Sequence, residues 1–334
     1  MDKLRIAVVG TGHLGKLHTK MLSQISTSEL VGIYDSNQEQ LKNASNEYRV
    51  KAFTNLDELL DSVDAVSIAA TTSAHYELAK KCFEKNIHVF IEKPITATIP
   101  QAEELVKIAS DKKLKLQVGH IERFNPALVS LEKYIEKPMF IQTDRLSQFN
   151  PRGTDVAVVL DLMIHDIDII LSLVKSDVKD IEASGVAVVS ETVDIANARI
   201  KFENGAVANV TASRISQKKM RKMRLFQRDN YISIDFISGV SEVYRLIPVD
   251  EKPASSMISF GEIGIGDRKK RVVYEQPEMK EINALKYELE LFVDAVLNDK
   301  QPKVSGEDGL KALKVADIIL KKIEESKPDD TNIS

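Results

Sequence analysis

The chain has 334 residues, 43% hydrophobic and 29% charged, with a formal net charge of -4. That length exceeds one comfortable core and predicts two domains, at 1–121 and 122–334. The charge balance offers no broad basic field and argues against nucleic acid or anionic lipid as a partner, and a single cysteine, Cys82, excludes an internal disulfide and a cysteine metal cluster.

The opening "MDKLRIAVVG" has an apolar run too short for a signal segment, and no stretch approaches the ~18 apolar residues of a membrane span, so a cytoplasmic protein is expected. "LRIAVV" reads as a strand, and a helix is predicted from 13 to about 25. Between them lies "GTGHLG", with Gly10, Thr11, Gly12, His13, Leu14 and Gly15. G-x-G-x-x-G directly after a strand and opening a helix is a dinucleotide fingerprint. Gly10 permits the turn, Gly12 lets a pyrophosphate approach the backbone, and Gly15 lets helix and strand pack closely. The helix N-terminus adds free N–H groups for the phosphates. "ELVGIYD" is a second strand ending at Asp35, 20 residues after Gly15. A carboxylate there can accept from both ribose hydroxyls and repels a 2′-phosphate, which favours NAD over NADP. A helix over 37–48, the strand "VDAVSIAA", a helix over 73–85, the strand "IHVFIEKP", a helix over 100–111 and the strand "LKLQVGH" complete the series. Apolar strands alternating with amphipathic helices predict an α/β Rossmann domain with a doubly wound parallel sheet.

Beyond about residue 122 the rhythm changes. "NPALVSLEKYI" reads as a helix, "PMFIQTDRL" as a strand, and 156–174 as a greasy helix of five turns. From about 178 to 274 the chain is mostly strand-like, with turn signals such as "ENG" and "RDN". Helices are predicted over about 282–299 and 307–326. This second domain is predicted to be α+β with a large open-faced, mainly antiparallel sheet, one face available to a partner subunit. Its C-terminal helix could pack back on the first domain.

On a wheel of ~100° per residue, His165, Asp168 and Ser172 fall within ~40° of Asp161, while Asp166 sits ~140° away. Ionisable groups on a buried helix need partners or a wet cavity. Asp161 and His165, four apart, can touch, and a carboxylate that orients an imidazole suits a general base for an alcohol proton. A structural ion-pair ladder fits the same spacing. No second histidine or cysteine lies near enough in sequence to complete a metal site. At "HVFIEKPIT", Glu92, Lys93 and Pro94 follow an apolar strand, where open parallel sheets bind ligands. Lys93 there could hydrogen-bond a substrate oxygen, although an ion-paired surface lysine fits the spacing too. The runs "QKKMRKMR" and "RKKR" read as solvated strand ends rather than nucleic-acid sites.

"GTGHLG", "AATTSAH" and "IEKPIT" together resemble the glucose-fructose oxidoreductase / inositol 2-dehydrogenase / MocA family. The resemblance spans the chain and implies a nicotinamide-dependent dehydrogenase acting on a CH–OH group. It implies that Glu92, Lys93, Thr71 and His75 lie at the cofactor, and that Lys93 also meets the substrate. The family's Asp-x-Gly-x-His segment matches "DLMIH", with Met163 in place of the glycine, which implies substrate contacts for Asp161 and His165. His165 is then the acid/base, Lys93 its hydrogen-bonding partner, and Asp161 an orienter or substrate ligand. "GHIERFNPA" and "NPRGTDVAVVLDLMIHDID" are similar to the branch acting on UDP-N-acetylhexosamines, in particular UDP-N-acetylglucosamine 3-dehydrogenases. That branch oxidises the sugar C3 to a 3-keto sugar, usually handed to an aminotransferase. Arg123 and Arg152 are candidates for the pyrophosphate and Asn125 for a sugar hydroxyl or acetamido group, with ordinary ion-pair and helix-cap roles as the alternative. The family also implies a homodimer or homotetramer. A free cyclitol or monosaccharide substrate, and a non-catalytic NAD(H)-binding regulator, are the rival readings.

Overall fold

The structure is a computed structural model that describes residues 3–150, 156–254, 256–279 and 281–326. Two compact units emerge, Met1–Phe124 with Ile282–Lys314, and Asn125–Glu281 with Val315–Ser334.

The first unit contains a five-stranded parallel sheet in the order β2-β1-β3-β4-β5, formed by β1 (Leu4–Val9), β2 (Ser28–Tyr34), β3 (Ala65–Ile68), β4 (His88–Glu92) and β5 (Leu116–Gly119). β3 and β5 are buried throughout, as strands of a sheet covered on both faces are, with Ser67 and Gln117 as their buried polar side chains. The connecting helices are α1 (His13–Leu22), α2 (Gln38–Tyr48), α3 (Leu56–Leu60), α4 (Thr72–Glu84) and α5 (Ile99–Asp111). Local chemistry sets their ends. The Asn37 side chain accepts from the N–H groups of Glu39 and Gln40 to start α2, and Arg49 in the left-handed region stops it. α8 (Ala284–Leu297) joins this unit, where Leu285, Leu289, Phe292 and Val293 share a core with Leu4, Ile6 and Val8. The Phe292 ring meets Phe90 edge-on at 5.7 Å. Each such buried side chain contributes about 2 kcal/mol. Chain order reverses between β1 and its neighbours β2 and β3, which opens a crevice at their carboxyl ends.

The second unit holds a nine-stranded sheet, β13-β14-β12-β11-β10-β6-β9-β8-β7. The strands are β6 (Phe140–Leu146), β7 (Val178–Val186), β8 (Ile195–Phe202), β9 (Val207–Ser213), β10 (Met220–Phe226), β11 (Asn230–Asp235), β12 (Val240–Pro248), β13 (Ile258–Ile263) and β14 (Lys270–Glu275). All pairs are antiparallel except β6 with β9. Alternation along the strands buries Ala196, Ala198 and Ile200 of β8 and Ala208, Val210 and Ala212 of β9 on one face. On the other face a row of rings, Phe140, Phe226, Tyr231 and Tyr244, runs across the strands at 4.9 to 5.8 Å spacings.

Besides the short α3, where no helix is expected, two elements differ from the sequence expectation. The helix expected over "NPALVSLEKYI" is only α6 (Pro126–Val129). The chain leaves it because Leu131 and Tyr134 turn inward and the Tyr134 carbonyl is taken by the Gln227 amide. The long greasy helix is not one uniform α-helix either. Val159–Met163 form a π-turn, and only then does α7 (Ile164–Val174) run regularly. The 100° wheel therefore fails across Asp161. The last helix, α9 (Gly306–Glu325), completes the chain's described elements.

Candidate active site

In the first unit a groove of about 600 Å³ opens at the carboxyl ends of β1 and β2, lined by Gly10, Gly12, His13, Leu14, Asp35 and Thr71 among others. Gly10 has φ 94°, and a methyl there would strike the Ala69 carbonyl group at 2.7 Å. At Gly15 an added Cβ would lie 1.8 Å from the Gly10 carbonyl oxygen. Nothing lies within 4 Å of the position a Gly12 Cβ would take. Two glycines thus serve packing, and the third leaves open backbone facing the groove. Residues of this kind fit a dinucleotide, whose pyrophosphate needs bare backbone at a helix N-terminus.

Asp35 lines the same groove but is already engaged. Its Oδ2 accepts from the Thr11 N–H at 2.6 Å and the Thr11 hydroxyl at 2.9 Å, and Oδ1 accepts from the Asn37 N–H at 2.8 Å. A carboxylate offers about four acceptor positions, so about one is left for a ribose hydroxyl. Thr11 is itself buried, and it buttresses the carboxylate rather than facing the groove. Among the described lining residues there is no lysine or arginine.

The segment after β4 is held from beneath. Glu92 is 8% exposed, with Oε1 at 2.9 Å from His18 Nε2, and His18 Nδ1 lies 2.7 Å from the Ser67 hydroxyl. The Nδ1 contact is a hydrogen bond whose direction follows the tautomer, while the Nε2 approach to the carboxylate is a close polar contact. Glu92 thus sits against His18 at the base of the turn. His18 escaped the sequence reading, although its place three residues after Gly15, on the buried side of α1, marks it. His75 is buried too. Its Nδ1 faces the Pro94 carbonyl at 3.0 Å and Nε2 the Ala70 carbonyl at 3.1 Å. Burial pushes the imidazole below its usual range despite the two carbonyls. Neutral, it carries one N–H, so one of these contacts at a time is a hydrogen bond. His75 ties the β3–α4 loop to the Lys93–Pro94 turn, and Lys93 itself is half-buried. Burial also pushes the Cys82 thiol up to about 12, which leaves it protonated and inert.

In the second unit the π-turn and α7 carry the expected acids and imidazole. Asp161 and His165 are half-buried on a helix whose neighbours Val159, Met163, Ile164 and Ile167 are fully buried. Asp168, placed by the wheel on the same polar stripe, is 1% exposed and lies within the protein. Asp166, which the wheel left without a role, receives two 2.8 Å bonds from Arg145 of β6. Ser172 donates to the Ile169 carbonyl.

The remaining candidates have local partners where they are described. Arg123 pairs with Asp308 at 3.7 Å in the first unit. Asn125 caps α6 through Ala127 N–H at 3.1 Å and donates to the Phe236 carbonyl. Arg152 lies outside the described residues. In the basic runs, Lys222 pairs with Asp235, Arg224 with Asp144 and Lys270 with Asp229. No described helix is long and apolar enough to cross a membrane.

Residues 4–120 match a family described as "Oxidoreductase family, NAD-binding Rossmann fold", and residues 138–232 match the "GFO/IDH/MocA C-terminal domain". A UDP-N-acetylglucosamine 3-dehydrogenase of Acidithiobacillus ferrooxidans is 39% identical over 246 residues, 73% of this chain and 78% of that protein. A solved structure bearing that name, from the same organism, superposes at TM-score 0.86 with 33% identity, covering 97% of this chain and 99% of that one. A myo-inositol 2-dehydrogenase of Thermotoga maritima is 27% identical over 346 residues, 97% of each chain. On these matches the chain belongs to the GFO/IDH/MocA oxidoreductase family and is a nicotinamide-dependent dehydrogenase.

Proposed function

We propose that this chain uses NAD to oxidise the C3 hydroxyl of a UDP-N-acetylhexosamine, UDP-N-acetylglucosamine above all, to the 3-keto sugar. The observation that carries the chemistry is the pair Asp161 and His165, half-buried on a helix otherwise packed into its unit. The choice of substrate rests on the 39% identical relative. NAD is favoured over NADP by Asp35 at the end of β2 and by a described groove lining without a cation.

Gly10, Gly12 and the start of α1 would hold the pyrophosphate and Asp35 would accept from the ribose, and the group so held would supply a hydride acceptor for the carbinol carbon. Lys93 donates to the reacting oxygen and stabilises charge on it as C–O–H becomes C=O. His165 takes the hydroxyl proton, and Asp161 orients the imidazole or binds the sugar. The open ring-bearing face of the nine-stranded sheet is assigned to a second copy of the chain, in a homodimer or homotetramer. The 3-keto product suits an aminotransferase as the next enzyme.

A substrate panel followed by NADH absorbance tests this. UDP-N-acetylglucosamine with NAD should yield NADH, more so when an aminotransferase consumes the product. No NADH under those conditions sinks the assignment. NADH from myo-inositol instead would support the second reading, which the Thermotoga maritima relative favours through alignment over 97% of both chains.

A further inference from the structure

The helix bearing Asp161 and His165 is pinned on both sides of its π-turn. On the entry side the Val158 N–H donates to the Val193 carbonyl at 2.9 Å, and the Arg214 guanidinium donates to the Val156 carbonyl. Arg214 lies 3.7 Å from Asp194, a fully buried carboxylate that accepts from the N–H groups of Val188 (2.8 Å), Val189 (2.8 Å) and Ser190 (3.0 Å). On the exit side Arg145 and Asp166 form a two-pronged pair, 3% and 2% exposed. The π-turn itself packs on β9, and α7 on β6 and β9.

A π-turn closes i→i+5 rings with poorer geometry than an α-turn, and such segments persist where the surroundings force them, often at functional sites. Here the surroundings are identifiable. With the chain fixed at Val156–Val158 and again at Asp166, one residue more than an α-helix would use must fit between, and Val159–Met163 widen to take it. A buried ion pair is a poor source of net stability, because desolvation offsets its attraction. Its two-pronged geometry does fix rotation. Asp166 directly follows His165, about 100° away around the helix. Locking Asp166 against β6 therefore decides where His165 points.

We propose that Arg145 and Asp166 are positioning residues, which set the rotation of the helix so that the π-turn is kept and Asp161 and His165 present together. This rests on the acid/base role proposed for His165.

The test compares wild type, Arg145→Met/Asp166→Leu, Arg145→Lys and His165→Ala. Each is measured for melting temperature, NAD affinity, kcat and KM with UDP-N-acetylglucosamine, and amide hydrogen exchange over 157–166. The apolar double variant should melt close to wild type and bind NAD within twofold. Its kcat should fall at least thirtyfold, and the amides of 158–164 should exchange at least tenfold faster. Arg145→Lys keeps the charge but loses the second prong. It should recover part of that kcat, stay about tenfold below wild type and leave KM for NAD unchanged, and it serves alone if the double variant does not fold. Wild-type kcat and exchange in either folded variant overturns the proposal. Full activity in His165→Ala instead overturns the role of His165, and the exchange data then still decide whether the pair holds the turn.

Discussion

Gly12 caps α1 and Gly15 lies in its first turn, three residues on, yet the same substitution should do opposite things to them. At Gly15 an added methyl falls 1.8 Å from the Gly10 carbonyl oxygen. A comfortable C···O approach is about 3.3 Å, so α1 would have to withdraw by about 1.5 Å. The obstacle is backbone, and α1 carries the buried His18, Thr19, Met21 and Leu22 with it. Gly15→Ala should therefore cost about 3 kcal/mol, the upper end for overpacking. At Gly12 nothing lies within 4 Å and φ is −65°, which alanine tolerates. Gly12→Ala should change the stability of the cofactor-free protein by less than about 0.5 kcal/mol. The methyl would instead stand where the pyrophosphate approaches the backbone. NAD affinity should fall at least tenfold, about 1.4 kcal/mol. Thermal melts of the cofactor-free proteins, paired with calorimetric NAD titrations, separate the two effects. Wild-type NAD affinity in Gly12→Ala, or equal destabilisation by both substitutions, would refute the reasoning.

Lys93→Met and His165→Ala should each lower kcat by about 10²–10⁴, with NAD affinity within threefold of wild type by titration. Replacing Asp35 by Asn removes the charge that repels a 2′-phosphate, and the ratio of NADP to NAD turnover should rise at least tenfold in steady-state assays. His75 has its pKa depressed from 6.5 by burial. Its stabilising contribution is present above pH 6.5 and is lost as pH falls through the lower folded value. Melting temperature should drop on acidification through this range, and His75→Asn should drop less. Burial raises the Asp194 carboxyl, but three donors (Val189, Val188 and Ser190) outweigh it and hold it at about 2. The stability it brings should vanish between about pH 4 and 2, and Asp194→Asn should flatten an acid-unfolding curve there.

Features encoded within a few residues were legible. The glycine loop, the acid at Asp35 and the alternation of apolar strands with helices need only local spacing, and the doubly wound form of the sheet follows from the handedness of crossovers. Features set by distant partners were not. Asp166 looks like an error on a greasy helix until Arg145, on another strand, is beside it. At the entry to the π-turn, Arg214 reaches a carbonyl 58 residues away, a contact no wheel contains. Asp168, which a ~100° step places near His165 on one polar stripe, is buried where His165 is half-buried, a difference set by packing around α7. His75 and Glu92 are read toward the cofactor from their motifs, and what no motif contains is their partners, Pro94 and Ala70 for the imidazole and His18 for the carboxylate.

The helix α8 has a consequence for how this protein is made. A ribosome that has released residues 1–124 has released all five parallel strands, but not Leu285, Leu289, Phe292 or Val293, which complete their core. At usual elongation rates those side chains emerge about 10–30 s later. Throughout that interval the apolar patch that these four side chains cover, around Leu4, Ile6 and Val8, stays open to solvent. For the same reason a recombinant fragment ending near residue 121 should collect in the insoluble fraction, whereas one fused to 282–314 should not.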